Sequence, residues 1–231
     1  MLLLAMDTST SAVTAAVHDG SAVLARRGVL DVRAHAELLT PLVRDVLAEA
    51  GAAPSDVTHV VGGRGPGPFT GLRVGLVTAE TFAFAVGATS GGWGSLDAMA
   101  HGLWLTGDAP GRFVVATDAR RKEVYWAVFA AGPGGVVREA GPGVERPADL
   151  PADVRELPCA GRGPGLYPGM FGPAVGPLDV DAGALADAAA RHLSAGGALP
   201  PPRPDYLRRP DAVPQAAVKS VTAADGRRGR R

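Results

Sequence analysis

The feature that most constrains the fold is a strand-turn-strand unit that occurs once in each half of the chain. The first copy passes through Asp7 and a polar turn and closes at Gly20. The second passes through Asp118 and another polar turn and closes at Gly132, at nearly the same spacing. A duplication predicts two α/β lobes with a cleft between them and a carboxylate at the end of each first strand. A chance similarity of two apolar runs is the alternative.

The length of 231 residues allows two lobes with ordinary cores. We predict an N-terminal lobe over residues 1–108, a C-terminal lobe over 109–210 and a disordered basic tail over 211–231. A solvated tail is preferred over one that contacts tRNA phosphates. The formal net charge is zero, so no global field draws the chain to nucleic acid or to a membrane.

Neither a signal peptide nor a transmembrane segment is predicted, and the single cysteine fits a reducing cytoplasm. A self-contained tRNA-binding module would require a basic stripe with interleaved aromatic residues. Aromatic residues make up only 5% of this neutral chain, so that function ranks last.

A loop rich in glycine and proline joins a predicted strand, Val57 to Val61, to a predicted helix, Leu72 to Val86. It runs from Gly63 to Arg73 as Gly-Arg-Gly-Pro-Gly-Pro-Phe-Thr-Gly-Leu-Arg. Glycine permits close backbone approach and proline fixes φ, so this loop has one specific shape. We predict a site here, with the helix N-terminus favouring an anion. A rigid structural turn is the alternative, and Walker A is excluded because no Gly-Lys-Ser/Thr follows.

The two acidic hairpin turns resemble those of the actin, hexokinase and sugar-kinase superfamily. That resemblance implies an α/β, two-lobed actin/hexokinase-like (ASKHA) fold with duplicated ribonuclease H-like lobes. In the superfamily the first turn reads Asp-x-Gly-Thr/Ser and cradles phosphates, whereas here it reads Asp7-Thr8-Ser9-Thr10. The turn at Asp118 also lacks its glycine. A Cβ where backbone must approach phosphate argues against tight autonomous nucleotide binding.

Five ordered motifs resemble one branch of this superfamily, the TsaB (YeaZ-like) family of dimerisation subunits in the bacterial tRNA threonylcarbamoyladenosine synthesis complex. The match extends from residue 2 to about residue 210. The motifs are Asp7–Thr10, a helix start at His35 with Leu38, Leu39 and Pro41, the loop Gly63–Arg73 with Pro68 in place of serine, Asp118–Tyr125, and Tyr206–Arg208.

The resemblance implies a non-catalytic subunit. Its paralogue TsaD transfers threonylcarbamoyl to the adenosine beside the tRNA anticodon, and TsaE is the ATPase of the complex. The implied chain is cytoplasmic, has no membrane contact, reaches tRNA through the complex and forms a homodimer when alone. No catalytic residue and no metal ligand is expected, because the five histidines are nowhere four residues apart, as a His-x-x-x-His metal pair requires. A stand-alone kinase or ATPase of the same fold is the competing hypothesis.

The resemblance places the partner contact on the first two helices. The first has a wide apolar stripe, and the second has small residues four apart, which let another helix approach closely. Burial of both helices within their own lobe is the alternative. The predicted interface and loop residues are Leu39, Leu42, Val43, Val46, Gly65, Pro66, Gly67, Phe69, Thr70, Gly71, Arg73, Gly75 and Ala79.

A ligand role stays open at the two acidic turns. No tightly bound cofactor is expected, and ATP or ADP at an interface shared with the partners is the alternative. The residues of this vestigial phosphate loop or shared nucleotide site are Asp7, Thr8, Ser9, Thr10 and Asp118.

Overall fold

Two β-sheets and the helices packed on them make up the part of the chain that the computed structural model describes, residues 1–31 and 35–208. The predicted basic tail at 211–231 lies outside the described residues.

The first sheet has five strands in the order β3-β2-β1-β4-β5. Strand β1 pairs antiparallel with β2 and parallel with β4, and both β1 and β2 are buried along their whole length. The continuous apolar run at the start of the chain therefore forms the centre of the sheet. The strands are β1 Leu3–Asp7, β2 Ala12–His18, β3 Val23–Leu30, β4 His59–Gly63 and β5 Thr89–Trp93.

Helices cover both faces of this sheet. On one face lie α1, His35–Glu49, and α2, Phe69–Val86, while α3, Ser95–Leu105, packs on the other. Helix α2 begins three residues before the predicted start, because Pro68 fits the N-cap and its carbonyl accepts from Leu72 N. Within the described residues, α2 alone meets the length and composition of a membrane span, and it packs on β4, β1 and β5.

The second sheet repeats the pattern in the order β8-β7-β6-β9. Its first strand again pairs antiparallel with the next strand and parallel with a later one. The elements are β6 Arg112–Asp118, β7 Val124–Gly132, β8 Gly135–Glu145, α4 Ala152–Arg155, β9 Cys159–Ala160 and α5 Gly163–Leu166. The predicted duplication and the two-lobed α/β fold are confirmed.

The last helix, α6 Ala182–Ser194, returns to the first sheet. It packs on β1, β2 and β3 and against α3, so that α3 and α6 lie between the two sheets. One core joins Leu3 of the first sheet, Phe113 of the second and Leu185 of α6. The two lobes therefore share apolar packing, and the limits 1–108 and 109–210 stay predictions.

Candidate functional site

The cleft between the lobes holds a cavity of about 220 Å³. Of the predicted ligand-site residues, Ser9, Thr10 and Asp118 line this cavity, whereas Asp7 and Thr8 do not. Thr70 and Gly71, at the start of α2, also face it. The structure thus brings the two acidic turns and the glycine-proline loop together, as the sequence predicts, but leaves the first carboxylate out of the cleft.

Asp7 lies behind the cleft and is fully buried. Its Oδ1 accepts hydrogen bonds from the Ser9 backbone N–H and hydroxyl, both at 2.7 Å. Its Oδ2 accepts from the Ser95 hydroxyl at 2.5 Å, and the Ser95 oxygen in turn accepts from Gly65 N at 2.9 Å. Both carboxylate oxygens therefore fix the turn and the loop. Ser95 lies 88 residues away and carries no motif that could have revealed it.

The glycines of the loop and of α2 press against the turn that Asp7 begins. A Cβ added at Gly63 would lie 1.7 Å from Asp7 Oδ2, and one at Gly67 would lie 2.5 Å from Ser9 O. At Gly71 the Cβ would lie 2.5 Å from Thr8 O, and at Gly75 it would lie 2.6 Å from Thr8 Oγ1. The Thr8 hydroxyl also donates to Gly71 O at 2.6 Å. These close approaches require glycine. At Gly71 and Gly75 the small-residue ridge of α2 therefore packs against the Asp7 turn, and its close contact with another helix stays a prediction.

Burial raises the pKa of Asp7 above its usual value of 3.8, while hydrogen bonds from Ser95 and Ser9 and the nearby His35 act in the opposite direction. Burial lowers the pKa of His35, against the attraction of Asp31 and Asp7. His35 lines the cleft, and its Nε2 is buried without a hydrogen-bond partner. The neutral forms of both side chains are therefore favoured relative to the same groups in water.

The second acidic turn is more open. The Asp118 side chain is 25% exposed; its Oδ1 accepts from Arg120 N at 2.7 Å and its Oδ2 lies 3.0 Å from Arg120 Nη1. Three consecutive residues, Arg120, Arg121 and Lys122, have φ of 61°, 54° and 64°. Left-handed backbone at three successive residues with side chains is costly and concentrates at functional sites.

Arg162 and Asp179 form a further wall of the cleft that no sequence motif indicates. Arg162 Nε and Nη2 donate to Asp179 at 2.9 and 2.5 Å, and this pairing raises the pKa of Arg162. Asp179 Oδ1 also accepts from Ser11 N of the first lobe at 3.2 Å. This bidentate ion pair of the second lobe is therefore also hydrogen-bonded to the first lobe across the cleft.

The Tyr206–Arg208 motif belongs to a C-terminal strap, residues 203–208, that crosses the loop. Arg64 donates to Asp205 at 2.6 Å, and the Phe69 and Tyr206 rings stack at 5.1 Å. Arg208 pairs with Glu123 and donates to Ala119 O at 3.1 Å. The strap therefore connects the glycine-proline loop to the Asp118 turn.

Several residues of the predicted partner interface are buried inside the first lobe, and their contact with a partner stays a prediction. These residues are between 0 and 8% exposed, because α1 packs on β2 and β3 and α2 packs on β4. They are Leu39, Leu42, Val43, Val46 and Ala79. The large apolar side chains of α2 that are exposed are Phe69 at 44%, Val77 at 57% and Phe84 at 90%. The wide apolar stripe on α1 is as compatible with burial inside the lobe as with a partner interface, because α1 packs against both the sheet and α2.

No group of three or more metal-ligating side chains is arranged to hold a metal ion within residues 1–31 and 35–208. Burial raises the pKa of Cys159 to about 12, so its thiol is not a nucleophile at neutral pH.

Comparison with known proteins identifies the family. Residues 29–158 match the family model described as TsaD: tRNA N6-adenosine threonylcarbamoyltransferase. An uncharacterised protein of Mycobacterium tuberculosis is 40% identical over 218 residues, which is 93% of this chain and 95% of that protein. The Escherichia coli tRNA threonylcarbamoyladenosine biosynthesis protein TsaB is 35% identical over 136 residues, 59% of this chain and 58% of TsaB.

The fold agrees with this assignment. YeaZ from Pseudomonas aeruginosa superposes with a TM-score of 0.78 at 30% identity, over 89% of this chain and 99% of that structure. The chain therefore belongs to the TsaB/YeaZ-like family.

Proposed function

We propose that the chain is a non-catalytic dimerisation subunit in tRNA threonylcarbamoyladenosine synthesis, which the catalytic paralogue TsaD requires to modify the adenosine beside the anticodon. The observation that carries the proposal is the closed Asp7 turn. A catalytic carboxylate has to reach the cleft, whereas both oxygens of Asp7 hold the turn and the loop together. The proposed complex is cytoplasmic and includes the ATPase TsaE, and tRNA is bound through the whole assembly.

Helix α2 supports this role, because it presents Val77 and Phe84 on one exposed face, seven residues apart. Seven residues are about two helical turns, so the two side chains lie in one line along the helix. Exposed apolar side chains in such an arrangement favour a protein contact. We propose that this line contacts TsaD, and that it contacts a second copy of the chain when TsaD is absent.

The experiment that tests this contact is calorimetric titration of TsaD into the Val77→Arg, Phe84→Arg double variant. We expect binding at least about 100-fold weaker than wild type, since each arginine would bury an unpaired charge at the interface. Val137→Arg is the matched control, because Val137 is 69% exposed on β8 of the second sheet, whereas α2 packs on the first sheet. Equal affinity for wild type, control and double variant would contradict the proposed surface.

The cleft supports a second, narrower proposal: ATP or ADP binds there at a site shared with the partners. Arg120 and Arg162 line the cavity beside the first turn of α2, and both features favour phosphate. We expect ADP to bind the TsaD complex more tightly than the isolated chain in equilibrium dialysis. Steady ATP hydrolysis by the isolated chain would instead favour the stand-alone kinase or ATPase.

A further inference from the structure

The three cationic residues at the tip of the Asp118 turn are distinctive in both sequence and backbone. Arg120, Arg121 and Lys122 form the only run of three consecutive basic residues in the sequence. Among the residues that the structure describes, they are also the only ones other than glycine with a positive φ. All three are exposed. Two independent observations, one of charge and one of conformation, therefore coincide at this turn.

The surrounding structure fixes the turn. Ala119 N donates to Glu123 O at 3.0 Å, and Glu123 N donates to Arg120 O at 2.9 Å. Arg208 of the strap donates to Ala119 O and pairs with the Glu123 carboxylate. Left-handed backbone at residues with side chains persists only where the surroundings hold it. The cationic tip is therefore rigid, and a ligand that binds it pays little entropy for ordering the turn.

The carboxylates of the turn do not neutralise the whole tip. Asp118 lies 3.0 Å from Arg120, and Glu123 pairs with Arg208. The Lys122 ammonium forms no hydrogen bond or ion pair within residues 1–31 and 35–208. The formal net charge of the whole chain is zero, so attraction of an anion by this tip is a local effect.

The composition of the tip favours a phosphate backbone over a protein surface. Protein interfaces have an apolar core, whereas Ala119, the one apolar residue of the turn, is 2% exposed. Lysine and arginine bind the phosphates of a nucleic acid with release of counterions, and this binding needs no apolar contact. Neither Arg121 nor Lys122 lines the cleft cavity, so the tip is distinct from the proposed nucleotide site.

We propose that Arg121 and Lys122 contact the phosphate backbone of tRNA when the chain is assembled with TsaD. The inference rests on the proposed function, because tRNA is the substrate of that assembly. The turn belongs to the second sheet, whereas α2 packs on the first. The RNA contact and the proposed TsaD contact therefore use different surfaces of the chain.

Fluorescence anisotropy of labelled tRNA, titrated with the complex of the full chain and TsaD at several salt concentrations, tests the proposal. We expect the Arg121→Gln, Lys122→Gln double variant to bind at least about tenfold more weakly. Its plot of log affinity against log salt concentration should lose about 1.5 to 2 of slope, for two lost phosphate contacts. The Arg121→Lys, Lys122→Arg variant keeps both charges and should bind as wild type does.

The matched control is the Arg112→Gln, Arg138→Gln double variant. It removes two exposed cations from the opposite end of the second sheet, so the change in net charge is the same. We expect its tRNA affinity and salt slope to remain within about twofold of wild type and unchanged, respectively. An equal loss in the control and in the turn variant would show a general charge effect and overturn the proposal.

The thermal unfolding midpoint and the TsaD affinity of each variant are measured in parallel. Failure of the wild-type chain to bind TsaD would contradict the proposed function and this proposal together. Normal binding of TsaD, with equal tRNA affinity for the turn variant and wild type, would overturn this proposal alone. Displacement of tRNA by polyglutamate as effective as that by unlabelled tRNA would also overturn it, because the turn would then suit an acidic protein surface.

Discussion

The two acidic turns occupy equivalent places in the two lobes but differ in their burial and in what their carboxylates contact. The Asp7 turn is buried, holds three hydrogen bonds on its carboxylate and lies beneath four glycines. The Asp118 turn is partly exposed, is held by Arg120 and faces the cleft with a left-handed backbone.

This difference shows how one strand-turn-strand unit serves either packing or a binding surface. In the first lobe the loop before α2 covers the turn, and the Asp7 carboxylate is connected to that loop by hydrogen bonds through Ser95. In the second lobe the Asp118 side chain is 25% exposed and lines the cleft, so that turn stays open to a ligand. Changes at the first turn should therefore affect stability, and changes at the second should affect binding.

Gly63→Ala is expected to have the largest effect. Its Cβ would lie 1.7 Å from Asp7 Oδ2, so the carboxylate must move and lose its bonds, at a cost of about 3 kcal/mol of unfolding free energy. Urea unfolding measures it. Gly134→Ala is the control, because its Cβ meets nothing within 4 Å, and its change should stay within about 0.5 kcal/mol.

Removing each carboxylate compares the two turns directly. Asp7→Ala leaves the Ser95 hydroxyl and Ser9 N–H without their acceptor, so we expect a loss of about 2 kcal/mol. Asp118→Ala removes the acceptor of Arg120, whose polar groups water can reach instead, so we expect a loss of only about 0.5 kcal/mol of unfolding free energy. Urea unfolding of both variants decides, and a larger loss for Asp118→Ala would contradict the assignment of Asp7 to packing.

Arg208→Ala should loosen the open turn without affecting the closed one. Arg208 contacts Ala119 O and Glu123, and a partly exposed ion pair contributes up to about 1 kcal/mol. Hydrogen exchange should rise at residues 119–123 and stay unchanged at residues 7–9. Equal acceleration at both turns would show that the strap stabilises the whole chain.

The pH dependence of stability has a predicted sign. Because burial raises the pKa of Asp7, its contribution to stability is complete below the unfolded-state pKa and is lost as pH rises through the folded-state pKa. Asp7→Asn should remove this falling component from the unfolding free energy measured across the acidic range.

Asp19 supplies a control of opposite sign. Hydrogen bonds from Ala22 N and Ser21 N lower its pKa, so its contribution is present above the unfolded-state pKa and is lost as pH falls. Asp19→Asn should therefore remove a component that rises with pH. The same slope change in both variants would contradict the assignment for Asp7.

Local sequence patterns predicted the parts of the molecule that depend on short-range order. The repeated unit around Asp7 and Asp118 predicted the antiparallel strand pair of each lobe, β1 with β2 and β6 with β7. The glycine-proline loop predicted one edge of the cleft. The Asp179 contact to Ser11 spans 168 residues, and a polar residue within a helix or loop gives no signal of such a distant partner. The stripe on α1 was open to two interpretations, because a core face and a partner face have the same composition.

Mass spectrometry of tRNA nucleosides tests the central claim most directly. The chain is depleted in its own organism, and recovery is compared for wild type, Val137→Arg and the Val77→Arg, Phe84→Arg double variant. The account predicts loss of threonylcarbamoyladenosine, recovery with wild type and Val137→Arg, and no recovery with the double variant. Unchanged threonylcarbamoyladenosine after depletion would contradict it.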